Sequence, residues 1–281
     1  MSFSPAPSPA PSSLPAVVAR LRAVGCVFAE DEARLLFRAA RTEDELAAMV
    51  DRRAAGLPLE HILGWAWFCG LRIAVDPGVF VPRRRTEFLV QQAVALAQRL
   101  AAGRVGQPPN RPAAVVVDLC CGSGAVGVAL LMALDAVELY ATDLDPAAVR
   151  CARRNLAGAG GQVYEGDLYE PLPVTLRGRV DILAANAPYV PTEEMGLLPP
   201  EARVHERRMA LDGGTDGLDV LRRVTAEAPQ WLAPGGRLLV ETSGRQAART
   251  VETVARNGLL PQVVTSEELN ATVVIGTKLT R

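Results

Sequence analysis

Lysine is all but missing: Lys278 is the only one, and arginine carries nearly all the basic charge. The 30 basic residues stand against 31 acidic ones, a formal net charge of -1. That balance gives no support to a protein that coats nucleic acid at large. Histidine occurs only at His61 and His205. The five cysteines, Cys26, Cys69, Cys120, Cys121 and Cys151, are odd in number and have no CxxC spacing. A zinc site and a disulfide framework are therefore not expected. No apolar run is long enough to span a bilayer, and the N-terminus lacks the charged-then-apolar pattern of a signal segment. The expectation is a cytoplasmic protein with reduced thiols and no membrane partner. Neither a GxSxG nucleophile elbow nor a GxxxxGK[ST] phosphate loop occurs.

What is present is a chain of 281 residues, 49% of them apolar and 22% charged, enough for a substantial core. Residues 1–13 alternate Pro with Ser and Ala and read as a disordered lead. Residues 14–60 read as a small helical unit. Leu14, Val17, Val18 and Leu21 share one helical face, and Leu35, Leu36 and Phe37 mark a second helix. Thr42 to Glu45 has the spacing of a capping box ahead of a third. Residues 61–80 alternate around Gly70 as a hairpin linker. A helix follows from about Phe88 to Ala102, then a Gly/Pro-rich connection, GRVGQPPNRP.

From Ala113 strand and helix patterns alternate. AAVVVDL, AVELYATDLD, RVDILAAN and GRLLVETS are the apolar runs of parallel strands buried on both faces. The order predicts a doubly wound α/β domain over 81–281 with a mainly parallel, Rossmann-like sheet. Ligands in such sheets lie beyond the carboxyl ends of the strands, where Asp118, Asp143 and Asn186 fall.

Gly122 to Gly127 matches GxGxxG between a strand and a helix, a pattern shared by nicotinamide, flavin and S-adenosylmethionine binders. Asp118 discriminates among them. A pyrophosphate seeks the positive helix N-terminus and would be repelled by a carboxylate there, whereas the ammonium of S-adenosylmethionine welcomes one. Asp143, closing the next strand, can accept from both ribose hydroxyls. Asp145 before Pro146 reads as a helix cap. Asp167, after a short strand, either accepts from an adenine amino group or is a solvated turn acid. Cys120 and Cys121 read as small side chains under the cofactor.

The run Ile182 to Ala185 stops on Asn186, followed by Ala187-Pro188-Tyr189. The Asn186 side-chain oxygen and the Ala187 carbonyl are two acceptors that can grip one planar NH₂ group. Pro188 keeps Ala187 out of the helical region, and Tyr189 can stack on a flat substrate group. A delocalised nitrogen needs orientation and charge complementarity more than a strong base. A glutamine amide and the amino group of adenine or guanine both fit, so a nucleic-acid amino-methyltransferase is the alternative.

Motifs along nearly the whole chain after the Pro-rich lead together resemble the HemK/PrmC family, which methylates the side-chain nitrogen of a glutamine in protein. They are GLPLEHILG, VPRRRTEFLV, VDLCCGSGAVG, GDLYEPL, NAPYVP, ERRMALDGGTDGLDVLRRV and LAPGGRLLVETSGRQ. The resemblance implies an S-adenosylmethionine-dependent enzyme of class I fold. Its target would be the Gly-Gly-Gln loop of a peptide-chain release factor or a glutamine in another protein, with no direct nucleic-acid partner. Asn186, Ala187, Pro188 and Tyr189 would hold the glutamine amide. Asp118, Cys120, Gly122, Ser123 and Gly124 would surround the methionine part of the cofactor. Asp143, Leu144, Asp167, Leu168 and Asn186 would meet the rest of it.

Four positions depart from the family pattern. Ala187 replaces the first Pro of N-P-P-Y and loses one rigid ring, while keeping the carbonyl. Cys120 replaces a loop Gly, which disfavours positive φ there. Arg84 and Arg85 replace a Pro and a Glu and make that surface more basic; with Arg52, Arg53 and Arg83 they read as solvated turns rather than a phosphate-binding patch. The last segment, LNATVVIG, lacks the family's Arg. Glu201, Glu206 and Asp212 are candidates for the substrate mouth, and His205 reads as solvated.

Overall fold

The computed structural model describes residues 13–102 and 114–280. The Pro-rich lead up to residue 12 and the Gly/Pro-rich connection, 103–113, lie outside the described residues.

Four helices open the chain: α1 (Leu14–Ala23), α2 (Ala29–Ala39), α3 (Glu43–Ala54) and α4 (Leu59–Leu63). Their apolar faces meet in one core of Val17, Leu21, Ala33, Leu36, Leu46 and Val50. Burying each such Leu or Val contributes roughly 1.5–3 kcal/mol. The Thr42 hydroxyl accepts from Glu45 N at 3.1 Å, capping α3. The Glu45 carboxylate reaches one residue further back than a capping box requires, to Arg41 N at 2.8 Å.

Arg53 on α3 is buried, against the expectation of a solvated basic turn. Its guanidinium binds Glu32 at 2.5 and 3.1 Å and Leu57 O at 3.2 Å, and it reaches Glu201 Oε1 at 2.6 Å. A fork of five donors can satisfy all of these. Arg52 is exposed.

β1 (Trp65–Phe68) and β2 (Leu71–Ala74) form the hairpin. Its turn places Cys69 and Gly70 at φ +50° and +73°, as a two-residue turn matched to strand twist requires. The hairpin docks on the later part of the chain through Asn155, whose side chain accepts from Ala74 N at 3.0 Å and donates to Ala74 O at 2.8 Å, as a strand neighbour would.

The remainder is a three-layer α/β fold. Its elements are α5 (Glu87–Ala102), β3 (Ala114–Leu119), α6 (Ala125–Ala133), β4 (Val137–Asp143), α7 (Pro146–Leu156), β5 (Gln162–Glu165), β6 (Val180–Ala185), α8 (Pro200–His205), α9 (Asp219–Trp231), β7 (Leu232–Thr242), α10 (Ala247–Arg256), β8 (Leu260–Ser266) and β9 (Ala271–Thr277). The sheet order is β5-β4-β3-β6-β7-β9-β8, with β9 antiparallel to both its neighbours. Side chains alternate across it. Val116, Ile182 and Ala184 face α5 and α6, whereas Val115, Val117 and Leu183 face the α9 side. β3 pairs with β4 on one edge and β6 on the other, so the strand order reverses between β3 and β6. A crevice opens at their carboxyl ends.

Candidate functional site

A cavity of about 350 Å³ occupies that crevice, within the ~300–1,000 Å³ usual for small-molecule sites. Of the residues expected at the site, Asp118, Cys120, Gly122, Ser123, Asp143, Leu144, Asp167, Leu168, Asn186, Ala187, Pro188 and Tyr189 line it. Gly124 does not. It lies beneath, at φ +78°, where a Cβ would come within 3.1 Å of Ala152 Cβ and 3.2 Å of Leu156 Cδ1 on α7. Its contribution is close packing of the loop on α7.

The loop between β3 and α6 turns through Cys120 and Gly122, both at φ +56°. Cys120 therefore does enter the left-handed region that a side chain disfavours, a strain of roughly 1–2 kcal/mol. The neighbouring bond from Cys121 N to Thr142 O at 3.0 Å, together with the strand before and the helix after, fixes the turn. Burial pushes both the Cys120 and Cys121 thiols upward, further raised by Asp143 and Asp118. They are thiols, not thiolates, and chemically quiet.

Asp118 is buried in β3, and its Oδ2 accepts from Gly127 N at 3.1 Å. Burial raises its pKa to about 7, opposed by that hydrogen bond and helped by Asp143. Asp143 ends β4. Its Oδ2 accepts from Gly122 N and its Oδ1 from Asp145 N, both at 2.8 Å, so the carboxylate shapes the loop and keeps a lone pair on each oxygen for a ligand. Burial raises its pKa too. Asp145 caps α7 through Ala147 N at 2.8 Å and pairs with Arg207 at 2.9 Å. Asp167 sits beyond the end of β5, partly exposed, and pairs with Arg223 at 2.6 Å. Leu168 follows at φ +49° with its side chain buried.

Asn186 leaves β6 half-buried, its Nδ2 donating to Thr86 Oγ1 at 3.3 Å. The Tyr189 hydroxyl donates to Glu241 Oε1 at 3.2 Å, and the Arg85 guanidinium stands 5.8 Å from the Tyr189 ring centre. Backbone contacts hold this segment from behind. Gln246 Nε2 donates to Tyr189 O at 2.9 Å, and Gly213 N donates to Val190 O at 2.8 Å. A Cβ on Gly213 would lie 2.6 Å from Pro188 O, and one on Gly217 would lie 2.3 Å from Tyr189 O. The GGTDGL stretch thus buttresses the Asn186–Tyr189 segment, and only glycine permits the approach.

Arg83 and Arg85 also line the cavity; Arg84 and Arg85 are exposed, as the sequence reading has them, whereas Arg83 is partly buried. Arg83 binds both oxygens of buried Glu206 at 2.6 Å, and Arg85 Nε approaches buried Glu241 at 3.4 Å. Of the acids proposed for the mouth, Glu201 lines the cavity, whereas Glu206 is wholly buried behind Arg83. Asp212 caps Gly214 N at 3.0 Å and binds Arg208, away from the cavity. Reasoning from sequence missed Thr86 and Glu241. Their signal, T-E in VPRRRTEFLV and E-T in LLVETS, was visible, but nothing local brings the two together.

A profile described as the methyltransferase small domain matches residues 86–198. The release factor glutamine methyltransferase of Geobacter sulfurreducens is 40% identical over 220 residues, 76% of this chain and 72% of that protein. The 4-amino-L-phenylalanine/4-methylamino-L-phenylalanine methyltransferase of Streptomyces pristinaespiralis is 38% identical over 201 residues, 71% of this chain and 65% of that protein. Among solved structures, the catalytic domain of hMettl16 superposes with a TM-score of 0.55 at 14% identity, covering 85% of this chain and 83% of that one; this likeness is one of fold. With a doubly wound sheet, a cavity at its switch point and relatives of this identity and coverage, the chain belongs to the release factor glutamine methyltransferase family.

Proposed function

We propose that this chain transfers a methyl group from S-adenosylmethionine to the side-chain amide nitrogen of a glutamine in protein, the Gly-Gly-Gln loop of a peptide-chain release factor. The observation that carries the reading is the joint lining of one cavity by Asn186 and Ala187 and by Asp118 and Asp143.

The donor set fits that cofactor. Asp118, Asp143, Asp145 and Asp167 crowd the strand-end side, and the cations near them, Arg207 and Arg223, are already paired with Asp145 and Asp167. Such walls repel a pyrophosphate and attract an ammonium and ribose hydroxyls. S-adenosylmethionine, when bound, supplies an electrophilic methyl carbon on a sulfonium. Asp118 holds the ammonium, Asp143 the ribose hydroxyls and Asp167 the adenine edge. Asn186 Oδ1 and the Ala187 carbonyl accept the two amide hydrogens of the acceptor, which turns the nitrogen toward the methyl carbon. Pro188 and Tyr189 exclude water from that face, and the nitrogen's surplus proton leaves to solvent.

Of the arginines that could form a phosphate-binding patch, Arg53 and Arg83 are held by Glu32 and Glu206, and Arg85 stands 3.4 Å from Glu241. The protein acceptor is therefore the better reading. Its test is incubation with a labelled methyl donor and a release factor, with the same factor carrying Ala in place of its loop Gln, and with free 4-amino-L-phenylalanine. Label is expected on the first alone. Equal labelling of the two factors, or labelling of the free amino acid in their place, overturns it.

Asp118 makes cofactor affinity depend on pH. Its folded pKa, about 7, lies above the ordinary value of 3.8. The unliganded protein therefore holds a proton there between about pH 4 and 7, and the stability this contributes is lost as pH rises through 7. An ammonium binds the ionised form. Calorimetric Kd for S-adenosylmethionine is expected to tighten by up to about tenfold per unit from pH 5.5 to 7 and then level off. A flat profile would remove Asp118 from the site.

A further inference from the structure

Glu241 is the odd group of this active site: a carboxylate buried at the end of β7, behind the cavity rather than in it. Its Oε2 has no hydrogen-bond partner among the described residues. Such burial is costly unless the group does something for its neighbours. Those neighbours are the side chains that line the acceptor end. The Tyr189 hydroxyl donates to Oε1 at 3.2 Å, Arg85 approaches at 3.4 Å, and the Thr86 hydroxyl and Arg83 also face it.

The chemistry of the chain is directional. The Thr86 hydroxyl stands between this carboxylate and the Asn186 amide. Thr86 Oγ1 accepts from Asn186 Nδ2 at 3.3 Å. With Nδ2 tied back, Oδ1 is the amide atom left to face the cavity. An amide turned the other way would present a donor to a donor, leaving the acceptor nitrogen unheld.

We infer that Thr86 is a positioning residue in a relay to the acceptor: it fixes the Asn186 amide with its oxygen toward the methyl acceptor, while Glu241, through its bond from the Tyr189 hydroxyl, fixes the ring beside it. The inference rests on the role given to Asn186 above. Neither Glu241 nor Thr86 needs to touch the methyl group. Arg85, standing where the family pattern has a Glu, balances the Glu241 charge from the solvent side.

The test uses the full chain with an intact release factor as acceptor and reads kcat, KM, cofactor Kd and thermal midpoint for T86V, T86S, E241Q and N186A. T86V keeps the shape and removes the hydroxyl; T86S restores the hydroxyl. The expected result is a kcat about 30- to 100-fold lower for T86V, as for an acceptor held out of line, recovered to within a few-fold in T86S. E241Q, which can donate as well as accept, falls between them. Cofactor Kd and thermal midpoint stay near wild type in both Thr86 variants. Wild-type kcat in T86V, or a loss in T86V that T86S does not restore, overturns the relay. So does a loss that comes with weakened cofactor binding or a lowered midpoint. If N186A remains active, the role of Asn186 itself has failed; if N186A is dead while T86V is unimpaired, only the relay has.

Discussion

Asn186→Ala should lower kcat for glutamine methylation by about 10²–10³-fold, the usual cost of removing one preorganised hydrogen-bonding group from an active site, and leave the Kd for S-adenosylmethionine within a few-fold. The separation follows from geometry. Asn186 leaves β6 into the cavity, and its only side-chain hydrogen bond among the described residues is to Thr86. It shares no hydrogen bond with Asp118, Asp143 or the loop between them. Removing the amide takes away one of two acceptors and leaves the Ala187 carbonyl to hold the substrate nitrogen alone. A planar nitrogen held at one point can rotate out of line with the methyl carbon, and its delocalised lone pair has little intrinsic reactivity with which to compensate. Single-turnover labelling with saturating cofactor reads the chemical step, and calorimetry reads the cofactor. Parallel loss of both would make Asn186 a residue of the fold.

Asp143→Ala should do the reverse, weakening cofactor binding by about 100-fold or more. The carboxylate has one visible task and one proposed here, holding the ribose. It accepts from Gly122 N and Asp145 N, which sets the path of the loop and the start of α7, and its remaining lone pairs face the cavity. Loss of the side chain strands two partly buried backbone donors at roughly 1–3 kcal/mol each and removes the proposed ribose contacts. The stabilisation that a ligand confers scales with the logarithm of its concentration over Kd. Thus S-adenosylmethionine at a concentration that raises the thermal midpoint of the wild type should leave that of Asp143→Ala unmoved. A normal midpoint shift in the variant would show that the ribose is held elsewhere.

Much of this site was readable because parallel strands announce themselves. Each is a short apolar run, and the polar residue that interrupts it is delivered to the same edge of the sheet as its counterparts. Asp118, Asp143 and Asn186 could be grouped on that basis before any coordinates. What could not be read are the pairings between segments far apart in sequence. Thr86 precedes α5 and Glu241 ends β7, and only the sheet order, with β6 beside β7, brings them behind Asn186. The arginines misled for the same reason. A basic pair such as Arg52-Arg53 looks solvated until the partner of one, Glu201, arrives from α8. Cys120 misled differently: its positive φ is imposed by the strand before it and the helix after it, against its own preference. GGTDGL was visible as a motif, but its purpose, admitting the backbone of residues 188–190 at close range, is a property of two segments rather than one.

The most direct measurement is a crystal structure of the full chain with S-adenosylhomocysteine and a peptide carrying the Gly-Gly-Gln sequence. The account predicts the glutamine amide nitrogen within hydrogen-bonding reach, about 2.7–3.2 Å, of both Asn186 Oδ1 and the Ala187 carbonyl, on the sulfur side of the cavity. A glutamine seated elsewhere, or an Asn186 side chain turned away from it, would contradict the account.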